Sequence, residues 1–304
     1  MNTERPVSKA AAYAKISFVS AMWGLSFIAS KYAMQSGFGE FTLAFVRYVF
    51  VCAILLPLLR LKEGKLRLPD KKDWPGIALT GLTGISLYFI FEYMGVMRTT
   101  VANASLVLAA IPVFSILWGA IVGRKYRAAC WLGVAVSMAG VFLVVWFSAA
   151  GESGLSTGTV LLGNLLLLGA CVCWVIYLEV SRNLLARYGT FPLTVWQGVA
   201  GLIGLLPAML YEGFSGKWVP VPLGGWAAAF FLAAICSALC FFWYAQAIRA
   251  LSTLQVAIFI NLNPIVAVLG GVLLLGEGLH GMQGLGGLLI VGSILLVNVG
   301  TAKR

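Results

Sequence analysis

LLGNLLLLGACVCWV, running from Leu161 to Val175, decides the fold. Wound at 3.6 residues per turn it is apolar on every side, with Asn164 its only amide. A transmembrane strand would alternate lipid-facing and lumen-facing residues, and this segment does not. It reads as a helix buried in a bilayer.

Working outward, runs of similar character recur from Ile16 to Val299. Crossing a hydrocarbon core of roughly 30 Å takes about 20 mostly apolar residues. The 304 residues are 61% hydrophobic and only 10% charged, with a mean hydropathy of +0.96. That composition excludes a soluble globular domain. The spacing predicts an all-α integral membrane protein of ten helices, at 15–35, 41–61, 74–97, 101–122, 128–147, 158–180, 191–211, 225–248, 254–275 and 282–300. Short connections with Gly and Pro punctuation leave no room for a soluble domain. Ala10 to Ala12 precede the first run, where a cleavage site would follow it, so the first helix is expected to be retained.

The net charge of +11 does not point to nucleic acid, because the basic residues sit between apolar runs instead of forming a patch. All of the 21 Lys and Arg except Lys31, Arg47, Arg98 and Lys217 fall at the termini or in the even-numbered loops. That bias predicts both termini on the cytoplasmic side. Cys52, Cys130, Cys171, Cys173, Cys236 and Cys240 all lie in apolar runs with no histidine nearby, so they are expected to be reduced packing residues and to hold no metal. No cofactor is expected. His280 is the single histidine, and Asp70 and Asp73 lie in a basic loop, so neither a hydrolytic triad nor a metal site can assemble at depth.

Sliding the chain along itself by about 150 positions aligns Trp23 with Trp174, Lys31 with Arg182, Phe41 with Phe191, Pro57 with Pro207, Tyr93 with Tyr244, Arg98 with Arg249 and Pro112 with Pro264. The offset drifts to 153 at Gly123 and Gly276. Two five-helix repeats are expected, 15–147 and 158–300. An odd helix number makes the second copy thread the membrane in the opposite direction. Inverted repeats serve alternating access, so a carrier is favoured over a channel-like facilitator or an intramembrane enzyme.

The Trp23–Phe27 run (WGLSF) with Lys31, Arg47, the Thr99–Val113 stretch (TTVANASLVLAAIPV), Asn263-Pro264-Ile265-Val266, Gly276-Glu277 and Gly286 to Gly292 together carry a resemblance to the ten-helix, EamA-type members of the drug/metabolite transporter superfamily. One departure is Gly123-Arg124-Lys125 in the first copy, where the second has Gly276-Glu277. The resemblance implies an inner-membrane exporter of amino acids, related metabolites or toxic compounds. It also implies a central cavity lined by helices 1–4 and 6–9.

Ionisable groups inside a bilayer are costly and are site candidates by default. Glu92, one turn from Tyr88 on the same face, is a candidate for binding a cationic group or a proton. Its competing role is a structural ion pair with Arg47. Arg47 is a candidate for a substrate carboxylate, or for orienting helix ends. Lys31 and Glu179, nearer helix ends, read as side chains reaching for headgroups.

Trp23 and Ser26, Trp174 and Tyr177, and Trp243 and Tyr244 could wall a cavity for amphiphilic cargo. Asn103 and Gln255 correspond across the repeat, and Gln197 stands where Arg47 stands. Asn261 and Asn263 precede Pro264, where a carbonyl loses its donor; Pro112 and Pro264 are expected kinks. The expected partners are a small-molecule substrate, the lipid bilayer and, if transport is coupled, protons. A monomer is the default.

Overall fold

The computed structural model describes residues 8–64, 66–148, 155–251, 259–260 and 262–301. Every regular element among them is helical. The helices are α1 (Lys9–Gln35), α2 (Glu40–Glu63), α3 (Lys71–Met97), α4 (Val101–Ile121), α5 (Ala128–Ser148), α6 (Thr157–Tyr188), α7 (Thr190–Phe214), α8 (223–250), α9 (Leu262–Leu275) and α10 (Gly281–Thr301). Eight are long and apolar enough to cross a membrane, and Leu262–Leu275 and Gly281–Ser293 are shorter apolar helices among the described residues. The first residues of the predicted ninth helix, with Gln255 and Asn261, lie outside the described residues.

Short connections make successive helices antiparallel. Odd-numbered helices start at the end of the bundle where α1 begins, here called the near end, and even-numbered helices start at the far end. α6 runs eight residues past its predicted end, because the polar turn Ser181 to Arg187 is still helical; Gly189, at φ 72°, then stops it.

Two helices are not regular. α3 passes through a π-helical segment at Leu82–Leu87, and α8 through another at Leu232–Leu239. Such segments widen a turn and free carbonyls for outside partners. α4 breaks at Ala109 and Ala110, and Pro112 opens its second piece. Pro57 and Pro207 lie inside α2 and α7.

α2 packs along α7, α5 along α10, α1 against α8 and α9, and α6 against α3 and α4. Glycines allow the closest approaches. A Cβ on Gly140 would stand 2.6 Å from the Gly286 carbonyl oxygen, and one on Gly286 2.7 Å from that of Gly140. α5 and α10 therefore touch backbone to backbone, by the small-residue packing that drives helix association in lipid. Leu43, Leu59, Tyr93, Leu167, Leu205 and Leu232 fill the centre and are fully buried. Trp146, Leu288 and Phe214 are outward-facing and exposed, as suits a lipid solvent. All six cysteines are buried.

Candidate functional site

A cavity lies in the middle of the bundle, lined by Tyr48, Val51 and Leu55 of α2, Gly84 and Ile85 of α3, Trp174 and Tyr177 of α6, Thr194 and Gln197 of α7, and Ser237 and Phe241 of α8. Both predicted halves contribute. No lining side chain carries a formal charge, so the walls offer aromatic faces, hydroxyls and one amide.

The aromatic wall is continuous. Tyr93 meets Phe89 (ring centroids 5.6 Å apart), Phe89 meets Tyr48 (5.5 Å) and Tyr88 (5.1 Å), Tyr88 meets Trp174 (4.9 Å), and Trp174 meets Tyr177 (4.9 Å). The tilted and edge-on geometries suit the ring quadrupoles. Gly84 makes room for this wall: a Cβ there would fall 2.3 Å from the Tyr177 ring.

Polar groups are set into the wall by the irregular segments. The Arg47 Nε donates to the Ser237 hydroxyl at 3.0 Å, and Nη1 donates to the Tyr93 hydroxyl at 2.9 Å. The guanidinium also lies 4.5 Å from the Phe89 centroid. A buried cation is tolerable only with such partners. Ser237 reaches Arg47 because the π turn lets its own hydroxyl donate to Leu232 O, five residues back, at 3.1 Å. Ser86 in the α3 segment donates to Gly201 O at 2.9 Å. Gln197 is buried, donating from Nε2 to Ser181 Oγ at 2.9 Å, while the Tyr177 hydroxyl approaches its Oε1 at 3.5 Å.

Of the residues expected from sequence, Trp174, Tyr177 and Gln197 line the cavity; Arg47 and Tyr88 stand behind the lining, against Ser237 and Trp174. Glu92 is buried, one turn along α3 from Tyr88. Arg47–Glu92 is not among the ion pairs within 4 Å that the described residues form. Arg47 is taken up by hydroxyls instead.

The remaining expected residues go elsewhere. The Trp23 indole donates to Cys236 O, a carbonyl of the π segment, at 2.9 Å. Ser26 donates to Trp23 O within its own helix at 2.7 Å. Trp243 packs on Phe18, with ring centroids 5.0 Å apart, and Tyr244 on Trp23 at 5.4 Å. Asn103 is buried between α4 and α6, donating to Thr99 Oγ1 at 2.9 Å and to Asn164 Oδ1. Asn263 keeps a buried Oδ1 without a partner, and Pro264 stands in the first turn described for α9. Sequence reasoning passed over Tyr48, Thr194, Ser237 and Phe241. Tyr48 was within reach of it, being next to Arg47.

Lys31 and Glu179 do not reach for headgroups. Lys31 Nζ lies 2.7 Å from Glu277 Oε1 and 3.0 Å from Thr99 O. Glu179 is gripped by both terminal nitrogens of Arg124.

The family profile described as "EamA-like transporter family" matches residues 11–146 and 161–299. This chain belongs to the EamA-like transporter family. A protein of Archaeoglobus fulgidus named "Uncharacterized transporter" is 28% identical over 284 residues, covering 93% of this EamA-like chain and 94% of that one. A protein of Streptantibioticus cattleyicolor named "Probable terminal-alkyne amino-acid exporter" is 30% identical over 243 residues, 79% of this chain and 78% of its own length. "Uncharacterized inner membrane transporter YedA" of Escherichia coli is 26% identical over 284 residues, 92% of this chain and 88% of its own. A crystal structure with 20% identity superposes at a TM-score of 0.64 over 96% of this chain and 98% of the other. The fold is thus shared with a solved protein, and the family's members are transporters.

Proposed function

We propose that this protein is an inner-membrane exporter that carries a small amphiphilic metabolite, an amino acid or a related amine, through the central cavity by alternating access. The carrying observation is that cavity: uncharged, walled by aromatic rings and built from helices of both halves. A zwitterion or amine with an apolar side chain matches rings on one side and the hydroxyls and amide of Ser237, Thr194 and Gln197 on the other.

The two halves, 15–147 and 158–300, form an inverted repeat. Several features recur at the sequence offset. The π segments at Leu82–Leu87 and Leu232–Leu239 are equivalent, as are Pro57 and Pro207. Gly123 pairs with Gly276, both at positive φ. The packing obeys the same exchange: α1 on α8 and α9 corresponds to α6 on α3 and α4, while α2–α7 and α5–α10 map onto themselves. An odd number of helices per copy makes the repeat inverted.

The concentration of Lys and Arg at the near end supports cytoplasmic termini, and the near end is then the cytoplasmic one. Export is supported by the amino-acid exporter named among the relatives. Counterflow in proteoliposomes against labelled amino acids, amines, nucleobases and lipophilic cations tests the reading. The expected result is saturable exchange of one amphiphilic amino-acid or amine class. Exchange of none of them would remove it.

A further inference from the structure

Glu212 and Glu277 are two carboxylates that the cavity does not use, and both sit at the far end. Glu212, at the end of α7, is 1% exposed. Its carboxylate accepts from Thr42 N at 2.8 Å, Thr42 Oγ1 at 2.6 Å and Phe41 N at 3.4 Å. These are groups of the first turn of α2. A Cβ on Gly39 would overlap that carboxylate, 2.0 Å from its carbon, so the glycine makes the seat. Glu277, after α9, accepts from Val101 N at 2.8 Å and Ala102 N at 3.3 Å in the first turn of α4, and from Lys31 Nζ at 2.7 Å. Each carboxylate thus comes from one half and neutralises a helix N-terminus of the other, where unpaired N–H groups and the helix dipole favour an anion.

The equivalent positions at the near end carry the opposite charge. At the offset of 150, Glu212 corresponds to Lys62; at 153, Glu277 corresponds to Arg124. Lys62 stands 5.5 Å over the ring of Phe191, the counterpart of Phe41. Thr42, whose amide holds Glu212, corresponds to Pro192, which has no amide proton. Both partners of the α2 clamp are therefore replaced at the start of α7. Arg124 turns to Glu179 of α6 instead. A cation cannot accept from helix amides and is repelled by the positive end of the dipole.

We infer that Glu212 and Glu277 are clamps that hold the far end shut and set its balance against the near end, where the halves are tied by side-chain pairs instead, Arg187 and Tyr188 to Asp73 and Arg124 to Glu179. This rests on the alternating-access reading above: clamps that join opposite halves at one end act on the balance between two closures. The duplicated fold supplies matched ends, and three substituted positions, Lys62, Pro192 and Arg124, make them unequal.

The test uses spin-label distances on the reconstituted full chain with its six cysteines replaced. One label pair spans the two halves at the far end (positions 35 and 278) and the other at the near end (positions 9 and 185). In Glu277→Gln the far-end distance is expected to lengthen and the near-end distance to shorten, with the population ratio changing about fivefold, as loss of one charge contact at a helix terminus produces. The double variant Lys62→Glu with Pro192→Thr, both at the near end, builds a clamp there and is expected to shift the populations the same way. It guards against Glu277→Gln merely loosening the fold. Unchanged distances in both variants would overturn the clamps while leaving the transport reading to the counterflow assay. Lengthening at both ends together would overturn the clamps and also count against alternating access.

Discussion

The Arg47 Nε donates to the Ser237 hydroxyl at 3.0 Å, fastening the middle of α2 to the π segment of α8 and so one half of the chain to the other. Arg47→Lys keeps the charge but loses the planar fork that reaches Ser237 and Tyr93 together. It is expected to cost about 1–3 kcal/mol of stability, the usual effect of leaving a buried polar partner unsatisfied. A fall in the thermal unfolding midpoint in detergent checks this, and Ser237→Ala should produce a smaller fall that is not additive with it.

Trp174 offers a ring face between Tyr88 and Tyr177. Trp174→Ala removes an aromatic contact of about 1–1.5 kcal/mol and is expected to raise the KM for exchange about tenfold. Tyr177→Phe keeps the ring and loses only the long contact to Gln197, so it should change KM little. Equal effects from both would place the cargo elsewhere.

Glu92 is a buried carboxylate one turn from Tyr88, behind the cavity's aromatic lining. If flux is coupled to protons, it is the group placed to carry them. Glu92→Gln preserves shape, and the expected outcome is a folded protein whose flux no longer responds to a pH gradient. Flux that responds as before removes Glu92 as the coupling site.

Gly140 and Gly286 meet carbonyl to Cα between α5 and α10, away from the cavity. Gly140→Leu is expected to lower stability by about 1–3 kcal/mol through overpacking, while the exchange rate per folded molecule stays close to that of the unmodified protein. Thermal unfolding and counterflow on one preparation separate the two effects.

The helices and the two-copy pattern were readable because lipid imposes long apolar runs, and because prolines, glycines and charges keep their spacing across the offset. Trp174, Tyr177 and Gln197 were readable for a related reason: polar or aromatic residues in mid-helix stand out against leucine. Trp23 and Asn103 looked the same in sequence but are spent on a freed carbonyl and on a neighbouring amide. Which face a residue presents is set by irregular turns such as Leu232–Leu239, which break the 100° step that helical projection assumes. Glu212 escaped notice because it falls one residue beyond a predicted helix end, where a charge is ordinary. Its meaning appears only when α2 is brought against α7. Lys31 was misjudged likewise, since its partner Glu277 lies 246 positions away.

Trans-stimulation most directly tests whether this protein is a carrier. Proteoliposomes are loaded with a labelled amphiphilic amino acid or amine identified by counterflow, and efflux is followed with and without the same unlabelled compound outside. A carrier that reorients around one cavity should release label faster with substrate outside, and the acceleration should saturate. Efflux that is indifferent to external substrate and linear in internal concentration would contradict the account and point to an open pore.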